Sequence, residues 1–475
     1  MSGETNPVPL VVLGAGPGGY AAAFMAADLG MQVTLIGEDE NPGGVCLDRG
    51  CIPSKALLHV AAIIGESRQA ENCGIRFSEP RVELPKLRSW KEDVIRKLTG
   101  GLGMLVRQRS VRYIRGRAAF LDARTLKVDG PGGGEEVLAF EKAILATGSR
   151  PAAVPGLSFQ SSRLWDSTAA LELNSIPGTM LVVGGGYIGL ELGSVYASLG
   201  TRVLLVEMTS GLLPGVDRDL VAILAKRLEG RFEAVMLNAK VVGMKEEQGG
   251  IRAQFEGAAA GAATQVFESI LVAVGRKPNS DIPGLSRTRV ELDARGFIRI
   301  DAQRRTTDPD IYAIGDVTGE PMLAHKATHE GRTAAEAIAG QKVAFEPRAI
   351  PAVVFTDPEI AWCGLTELRA REEKLPVKVV RFPWAASGRA LTLDRQDGVT
   401  KLMLDPESGQ ILGMGIVGPG AGELIAEGVV AVEMGALASD VMLSIHPHPT
   451  LSETIMEAAG VYYGQSTHVY RPKKT

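Results

Sequence analysis

Apolar and polar positions follow the same order in two separate stretches of the chain. In the first stretch, an apolar run ending in a glycine turn (9–16) precedes a helix-like segment (21–30) and a second apolar run (32–37). The same order returns between residues 179 and 207. Short apolar runs on either side of a helical segment are typical of a strand–helix–strand unit in a parallel sheet. The pattern therefore predicts two such units in one chain.

A glycine pattern, GxGxxG, stands at the first turn of each unit. The first glycine permits a tight turn, the second lets the backbone approach a pyrophosphate, and the third allows close packing of helix on strand. The amino terminus of the following helix stabilises the phosphate charge. Two motifs therefore predict two bound dinucleotides. The glycines of the two motifs are Gly14, Gly16, Gly19, Gly184, Gly186 and Gly189.

The end of the second strand predicts how each ribose is bound. Glu207 lies 23 residues after Gly184, where a carboxylate accepts hydrogen bonds from a ribose 2′-hydroxyl and repels a 2′-phosphate. We therefore expect NAD rather than NADP at the second site. The same offset in the first unit falls on Gly37, and the acid follows one place later at Glu38. Glu38 either reaches the ribose by a shift of the loop or is simply solvated.

The chain changes character near residue 349. Its 475 residues exceed the size of one core, and two to four domains are expected. Short β-rich runs at 351–365 and 400–418 suggest an antiparallel sheet, and 446–459 predicts a turn that enters a helix. The third part of the chain should therefore be a mixed α and β domain.

Cys46 and Cys51 are separated by four residues, just after the first unit. This placement suggests a redox-active disulfide beside a flavin; the alternative is two small buried residues. Four cysteines in a chain this long do not form a disulfide scaffold. Cys73 and Cys363 lie far from the pair in sequence, and we expect them to be packing residues.

A dithiol that attacks a disulfide needs a base, and histidine titrates near neutral pH. His448 is the best candidate among six histidines because Glu453 follows five residues later and could orient the ring. His446 is the competitor, and the whole HPHP segment could also be a polar turn.

Lys55 and Glu191 form a second candidate pair. Lys55 lies one helical turn beyond Cys51, and Glu191 lies just past the second glycine motif. The two charges either meet beside the flavin or are solvated separately.

Composition excludes several classes of function. The net charge is -4, 22% of residues are charged, and no long basic run is present, which argues against nucleic acid or a membrane surface as a partner. No segment has the ~20 apolar residues that span a bilayer, and we identify no metal-ligand pattern. The amino terminus enters a strand early, so we expect no signal or transit peptide and a cytoplasmic protein.

Five segments carry a resemblance to a known family. The chain resembles the pyridine nucleotide–disulfide oxidoreductases over essentially its full length, and within them the branch that oxidises dihydrolipoamide. The segments are GGVCLDRGCIPSKALLH (43–59), GGGYIGLELG (184–193), IYAIGDVTGEPMLAHKA (311–327), FPWAASGRA (382–390) and HPHPTLSE (446–453).

The resemblance implies a role for each candidate residue. Cys46 would exchange with the substrate and Cys51 would lie nearer the flavin. His448 would be the base, oriented by Glu453, and would reach the disulfide of the other subunit of a homodimer. Lys55 and Glu191 would pair near the flavin N5. Further FAD or NAD contacts are expected at Thr147, Gly148, Gly275, Asp316 and Ala324.

The resemblance also implies the architecture and the partners. The expected fold is α/β, with two Rossmann-like dinucleotide-binding domains and a C-terminal α+β dimerisation domain. The partners would be the lipoyl domains and acyltransferase core of a 2-oxoacid dehydrogenase complex, or the lipoyl carrier of glycine cleavage. The expected domains are FAD-binding (1–150), NAD-binding (151–278), a second FAD-binding part (279–348) and dimerisation (349–475).

The chain departs from the family in two places. Gly37 stands where the family usually carries the acid that binds the FAD ribose. Asp48 and Arg49 replace the more usual Asn and Val between the cysteines, and we hypothesise that Arg49 lowers the pKa of the thiolate.

Three rival functions differ in the substrate or in the need for turnover. The first is reduction of glutathione-like or coenzyme A-like disulfides. Glu207 and the CIPSK segment argue against a glutathione-type enzyme, and the second cysteine argues against relatives with a single cysteine. The second is mercuric reduction, which would add cysteines near the C-terminus, and none follows Cys363. The third is a structural flavoprotein docked on an acyltransferase core.

Overall fold

The computed structural model describes residues 7–154, 156–157, 159–257 and 263–470. Residues 1–6, to which the expectation of no leader peptide partly refers, lie outside the described residues. The chain divides into two compact units, each assembled from segments that are distant in sequence. Unit 1 comprises Met1–Ala56, Glu83–Ala152 and Gly275–Glu346. Unit 2 comprises Leu57–Val82, Ala153–Val274 and Pro347–Thr475.

Strands and helices alternate in the first part of the chain, and strands dominate later. In the described residues the strands are β1 (Val8–Leu13), β2 (Val33–Gly37), β3 (Arg112–Arg115), β4 (Arg117–Asp122), β5 (Thr125–Asp129), β6 (Glu135–Leu145), β7 (Ser149–Pro151), β8 (Leu164–Trp165), β9 (Thr179–Val183), β10 (Arg202–Val206), β11 (Ala234–Met236), β12 (Ala239–Glu247), β13 (Gly250–Gly257), β14 (Thr264–Phe267), β15 (Ser269–Val272), β16 (Arg276–Pro278), β17 (Ile311–Ala313), β18 (Ala352–Val354), β19 (Glu359–Gly364), β20 (Lys378–Pro383), β21 (Val399–Leu404) and β22 (Ile411–Gly418). The α-helices are α1 (Pro17–Asp28), α2 (Gly44–Arg49), α3 (Cys51–Gln69), α4 (Leu84–Gln108), α5 (Ser167–Glu172), α6 (Tyr187–Ser198), α7 (Arg218–Leu228), α8 (Ala324–Ile338), α9 (Glu367–Glu372), α10 (Gly388–Thr392), α11 (Ala421–Glu433), α12 (Ala438–Leu443) and α13 (Glu453–Tyr463).

The main sheet of unit 1 has the strand order β3-β2-β1-β6-β5-β4, and β17 pairs with β6. Strands β3, β2, β1, β6 and β17 run parallel, whereas β4 and β5 are antiparallel to their neighbours. Every residue of β2 is buried, as expected for a parallel strand covered on both faces. The carboxyl ends of β1 and β17 therefore meet at one edge, where ligands bind in sheets of this kind.

Unit 2 contains a parallel sheet of order β11-β10-β9-β15-β8 and a three-stranded antiparallel sheet, β12-β13-β14. Helix α6 connects β9 to β10, which repeats the β1–α1–β2 arrangement of unit 1. The C-terminal part has an antiparallel sheet, β18-β19-β22-β21-β20, with α11 packed on it. The predicted fold class, two Rossmann-like units and a C-terminal α+β part, is confirmed.

A buried ammonium group joins helix α7 to the C-terminal sheet within unit 2. The Lys401 side chain is fully buried. Its Nζ lies 2.6 Å from Asp217 Oδ2, 2.8 Å from Asp219 Oδ1 and 3.4 Å from Glu367 Oε2. The three carboxylates are close enough together to bind a metal ion, but the lysine already supplies their positive charge. Removal of one partner from a buried ion pair leaves the other charge uncompensated, which costs about 3–5 kcal/mol.

Within the described ranges, no helix combines the length and the apolar character needed to cross a lipid bilayer.

Candidate redox site and nucleotide-binding sites

The first glycine motif connects β1 to α1 in unit 1. Gly14 has a φ of 107°, and a Cβ at this position would lie 2.2 Å from Ala146 O, so only glycine fits. A Cβ at Gly19 would lie 1.8 Å from Gly14 O. By contrast, a Cβ at Gly16 would meet no atom within 4 Å. Open space therefore lies beside the amino terminus of α1, where the N–H groups and the helix dipole favour a phosphate.

The second motif has the same form in unit 2, and it includes a carboxylate. Gly184 has a φ of 110°, and the space beside Gly186 is open within 4 Å. The buried Glu207 side chain accepts hydrogen bonds from the N–H groups of Gly185 (2.7 Å) and Thr209 (2.8 Å). These bonds fix the carboxylate at the turn. The residues present fit a dinucleotide whose ribose carries free hydroxyls.

Other predicted contacts of unit 1 gather near the first motif. A Cβ at Gly14 would lie 3.1 Å from Thr147 N, so the turn after β6 touches the turn after β1. Asp316 follows β17, and its Oδ2 accepts a hydrogen bond from Ser149 Oγ. Gly148 has a φ of 70°. The edge that carries the glycine motif therefore also carries a carboxylate and a second turn, which suits an extended cofactor.

A buried ionic cluster supports the turn that follows β17. The sequence did not predict it. Glu330 is fully buried on α8, which begins at the predicted contact Ala324. Its carboxylate accepts hydrogen bonds from Gly315 N (2.6 Å) and Arg304 Nη1 (3.0 Å) and lies 3.2 Å from Lys326 Nζ. The cluster fixes the turn that presents Asp316. The only signal in the sequence was the spacing of Lys326 and Glu330, which is one helical turn.

The two cysteines belong to unit 1, near its glycine motif, and lie on consecutive helices. Cys46 is on α2 and Cys51 begins α3, and their thiols form a hydrogen bond. This bond, followed by burial, raises the pKa of Cys46, while the charge of Lys55 lowers it. A reduced Cys46 therefore keeps its proton. Tyr20 on α1 was not predicted as a site residue, yet burial raises its pKa and the nearby cysteines add to the shift.

The residues between the cysteines carry the charge pair that we noted in the sequence. Both guanidinium ends of Arg49 donate to the Asp39 carboxylate at 3.0 Å. Lys55, rather than Arg49, supplies the positive charge that lowers the pKa of Cys46. The structure thus gives no support to the hypothesis that Arg49 activates the thiolate. Among the described residues, Asp48 Oδ2 is buried without a hydrogen-bond partner.

Burial, together with the charge of Asp39, raises the pKa of Asp48 to about 6, although Arg49 opposes the shift. The folded state therefore binds the proton of the Asp48 carboxyl more tightly than the unfolded chain does. The contribution of this group to folding stability is complete below the ordinary pKa of 3.8 and is lost as the pH rises through about 6. Asp48→Asn should therefore gain about 1 kcal/mol over the parent between pH 4 and pH 7, a figure discounted for partial solvent exposure.

Thermal unfolding midpoints of the two proteins, measured across this pH range, test the prediction. Glu71→Gln is the control, because Glu71 is exposed and pairs with Arg76 at the surface. The same pH dependence in the Asp48→Asn variant and the parent would contradict the assignment.

His448 and Glu453 form the predicted pair in unit 2. His448 Nδ1 donates to Glu453 Oε1 at 2.9 Å, and Glu453 Oε2 accepts from Thr450 N at 2.8 Å. Burial alone would raise the pKa of Glu453, but the hydrogen bonds from Thr450 and His448 outweigh it and hold the pKa below its ordinary value. The His448 side chain is 72% exposed. The carboxylate therefore holds Nδ1, and Nε2 is available to accept a proton.

The geometry distinguishes His448 from its competitor. His446 is only 8% exposed, and its ring nitrogens face Ser444 O (2.8 Å) and Glu427 Oε1 (2.9 Å). Both ring nitrogens of His446 are therefore engaged within the protein, and neither is open to a substrate. A further pair, His468 Nδ1 with Glu457 Oε1 at 2.8 Å, matches the chemistry of the predicted pair elsewhere in unit 2.

Lys55 and Glu191 belong to different units, and their pairing stays a prediction. Glu191 is buried on α6, and its Oε1 accepts a hydrogen bond from Phe355 N at 3.0 Å. Lys55 lies on α3, and its positive charge lowers the pKa of Cys46.

Comparisons with known proteins place these features in a family. Residues 8–331 match the pyridine nucleotide-disulphide oxidoreductase family, and residues 350–459 match the dimerisation domain of that family. The dihydrolipoyl dehydrogenase of Vibrio cholerae is 47% identical over 98% of this chain and 97% of its own length. That of Geobacillus stearothermophilus is 44% identical over 97% of each chain.

Solved structures show the same fold. LpdA from Mycobacterium tuberculosis matches 96% of this chain and 99% of its own, with a TM-score of 0.89 and 27% identity. The HOCl-induced flavoprotein disulfide reductase RclA from Escherichia coli matches 96% of this chain and 100% of its own as a Cu(II) complex, with a TM-score of 0.86 and 26% identity.

Proposed function

Because the chain belongs to the pyridine nucleotide-disulphide oxidoreductase family, we propose that it oxidises dihydrolipoyl groups through Cys46 and Cys51 and reduces NAD⁺. Membership confirms the expected family, the oxidoreductase class, and FAD and NAD as cofactors. The observation that carries the proposal is the hydrogen-bonded thiol pair beside the first glycine motif, in a chain similar to dihydrolipoyl dehydrogenases over nearly its whole length.

We propose that the dithiol reaction proceeds as follows. His448 takes a proton from one substrate thiol, and Glu453 stabilises the imidazolium that forms. The substrate thiolate attacks Cys46, a mixed disulfide forms, and Cys51 leaves as the thiolate. The second substrate thiol attacks the substrate sulfur of the mixed disulfide, and its proton passes to the departing Cys46 sulfur. This step releases the cyclic disulfide and the Cys46 thiol. The chemistry that FAD supplies when bound is two-electron transfer between this dithiol and NAD⁺.

The raised pKa of Cys46 supports this order of steps. A thiol that keeps its proton is a poor nucleophile. In the reverse reaction, where Cys46 attacks the substrate disulfide, a base must therefore remove the thiol proton. Among the histidines of the C-terminal HPHP segment, only His448 offers a ring nitrogen not engaged by an acceptor. His448 is therefore the residue we assign to proton transfer.

Glu207 supports NAD as the nucleotide at the second motif. The Glu207 carboxylate is buried and fixed by two backbone N–H groups. A 2′-phosphate beside it would bring two negative charges together, which is strongly unfavourable. A 2′-hydroxyl can instead donate to the same oxygens.

We also propose the domain division and the assembly. The domains are FAD-binding (1–150), NAD-binding (151–278), a second FAD-binding part (279–348) and dimerisation (349–475). The dimerisation domain at residues 350–459 supports a homodimer, in which His448 serves the disulfide of a second copy. The partners are lipoyl domains on an acyltransferase core or a glycine-cleavage carrier, in the cytoplasm. The cofactor contacts are those predicted from the sequence, except that Glu38 is held by Arg117, and Lys55 and Glu191 are paired at the flavin.

An anaerobic assay tests the proposed function. The FAD-loaded protein is mixed with dihydrolipoamide and NAD⁺, and NADH formation is followed. We expect rapid turnover, and a kcat/KM roughly 100-fold lower with NADP⁺ because the Glu207 carboxylate opposes the extra phosphate. The similarity to RclA makes another disulfide the alternative substrate. Turnover of other disulfides with NADH or NADPH, but not of dihydrolipoamide, would overturn the proposal and favour that alternative.

A further inference from the structure

The end of β2 lacks the acid that usually binds a ribose, and another side chain fills its place. Gly37 is the last residue of β2. A Cβ on Gly37 would lie 2.6 Å from Tyr113 Oη and 2.6 Å from Ala15 Cβ. A tyrosine hydroxyl therefore stands where a side chain at position 37 would begin.

Parallel pairing of the strands brings Tyr113 to this point. Strand β3 pairs with β2 so that Tyr113 aligns with Leu35 and Arg115 aligns with Gly37. Residues two apart on a strand share a face of the sheet. The Tyr113 side chain thus lies on the face of Leu35 and Gly37 and extends to the strand end.

The Tyr113 hydroxyl has the hydrogen-bonding character that the missing acid would provide. Its proton is donated to Asp39 O at 2.8 Å, so the lone pairs of the oxygen remain to accept a bond. Burial and the charges of Asp39 and Asp48 raise the pKa of Tyr113 to about 12, which keeps the phenol protonated. A carboxylate at this place would likewise accept hydrogen bonds from ribose hydroxyls.

The nearby acids are engaged elsewhere. Glu38 Oε2 accepts from Arg117 Nε at 2.8 Å, and both side chains are more than half exposed. Both carboxylate oxygens of Asp39 accept from Arg49. The two acids that follow Gly37 are therefore held by arginines.

The second motif serves as an internal comparison. There Gly185 takes the position of Ala15, and a Cβ on Gly185 would lie 3.1 Å from Glu207 Cβ. The residue after the first glycine therefore touches the end of the second strand in both motifs. At that contact the second motif presents a carboxylate, whereas the first presents the Tyr113 hydroxyl.

We propose that Tyr113 replaces the missing acid and accepts a hydrogen bond from a hydroxyl of the adenosine ribose of FAD. Ala15 and Gly37 form the floor of this subsite, and the Arg49–Asp39 pair holds the carbonyl that orients the Tyr113 hydroxyl. The proposal depends on FAD at the first motif and is independent of the disulfide substrate.

The dissociation constant of FAD from the apoprotein, measured by flavin fluorescence, tests the proposal. Tyr113→Phe should weaken FAD binding about 5–10-fold, as expected for one hydrogen bond. Tyr196→Phe is the matched control. Tyr196 also donates its hydroxyl to a backbone oxygen, Ala170 O at 2.7 Å, but it lies in unit 2, so FAD binding should not change. Thermal unfolding of each apoprotein verifies that the variants fold.

FAD analogues with 2′-deoxy or 3′-deoxyadenosine separate direct recognition from an effect through Asp39. If Tyr113 contacts a ribose hydroxyl, the penalty of Tyr113→Phe disappears with the analogue that lacks that hydroxyl. An equal penalty with FAD and with both analogues would overturn the proposal. The proposal would also be overturned if Glu38→Gln bound FAD weakly while Tyr113→Phe bound FAD as tightly as the parent. None of these measurements involves dihydrolipoamide, so they stand apart from the assay of the proposed function.

Discussion

Cys46→Ser is expected to lose at least about 10⁴-fold in dihydrolipoamide oxidation, while NADH still reduces its flavin. Serine cannot form the mixed disulfide that the reaction requires, and its hydroxyl cannot be oxidised together with the Cys51 thiol to a disulfide. The glycine motifs, Glu207 and the cluster around Glu330 are untouched by the substitution. The variant should therefore bind both nucleotides and fail only at the dithiol step.

Anaerobic turnover and the flavin spectrum check this prediction together. Cys73→Ser is the control, and it should keep full activity. The prediction that Cys73 is a packing residue is wrong, because its side chain is exposed, and it lies outside the pair. Retention of dihydrolipoamide turnover by Cys46→Ser would show that Cys46 is not the thiol that exchanges with substrate. Loss of flavin in the variant would show instead that the residue supports cofactor binding.

His448→Gln should lower kcat with dihydrolipoamide by roughly 10²–10⁴-fold, the range for loss of a general base. Glutamine keeps a polar side chain of similar reach but cannot take a proton from a thiol. Glu453→Gln should give a smaller loss, since the imidazole remains but its Nδ1 loses a charged acceptor. Reduction of the flavin by NADH needs no thiol proton transfer and should be unaffected in both variants.

His468→Gln is the matched control for this experiment. His468 Nδ1 also bonds a glutamate, Glu457, at 2.8 Å, and its ring is half exposed. His446→Gln is a second comparison, because both ring nitrogens of His446 face acceptors. Both controls should turn over dihydrolipoamide at rates close to the parent. A loss in His446→Gln with none in His448→Gln would reverse the assignment.

Local patterns explain how much of this protein was predictable. The glycine motifs, Cys46–Cys51 and the His448–Glu453 spacing each depend on residues close together in sequence. A turn that needs a φ of 107° at Gly14 excludes other side chains wherever it occurs. The resemblance to a family then predicted the fold class, the cofactors and the type of reaction, and all three are confirmed.

Contacts between distant segments were beyond the sequence. His446 and His448 are equivalent in the HPHP segment, and the contacts of His446 with Ser444 O and with Glu427 on α11 remove it as a base. Glu330 reaches Gly315 because α8 packs against the turn at residues 315–318, and the spacing of Lys326 and Glu330 does not show that the carboxylate is buried. The hypothesis that Arg49 lowers the pKa of the thiolate also depended on local sequence. In the structure the Arg49 guanidinium pairs with Asp39, which is ten residues away.

The ribose end of the first motif shows most directly which features the sequence predicts and which depend on the tertiary structure. The sequence by itself determined that Gly37 offers no acid and that Glu38 follows it. Only the tertiary structure decided that Tyr113, 76 residues later, reaches this place, because β2 and β3 pair in parallel and their register sets which side chains meet. Hydrogen-bonding groups are chosen by position in space, and position in space is set by strand pairing and packing across the whole unit.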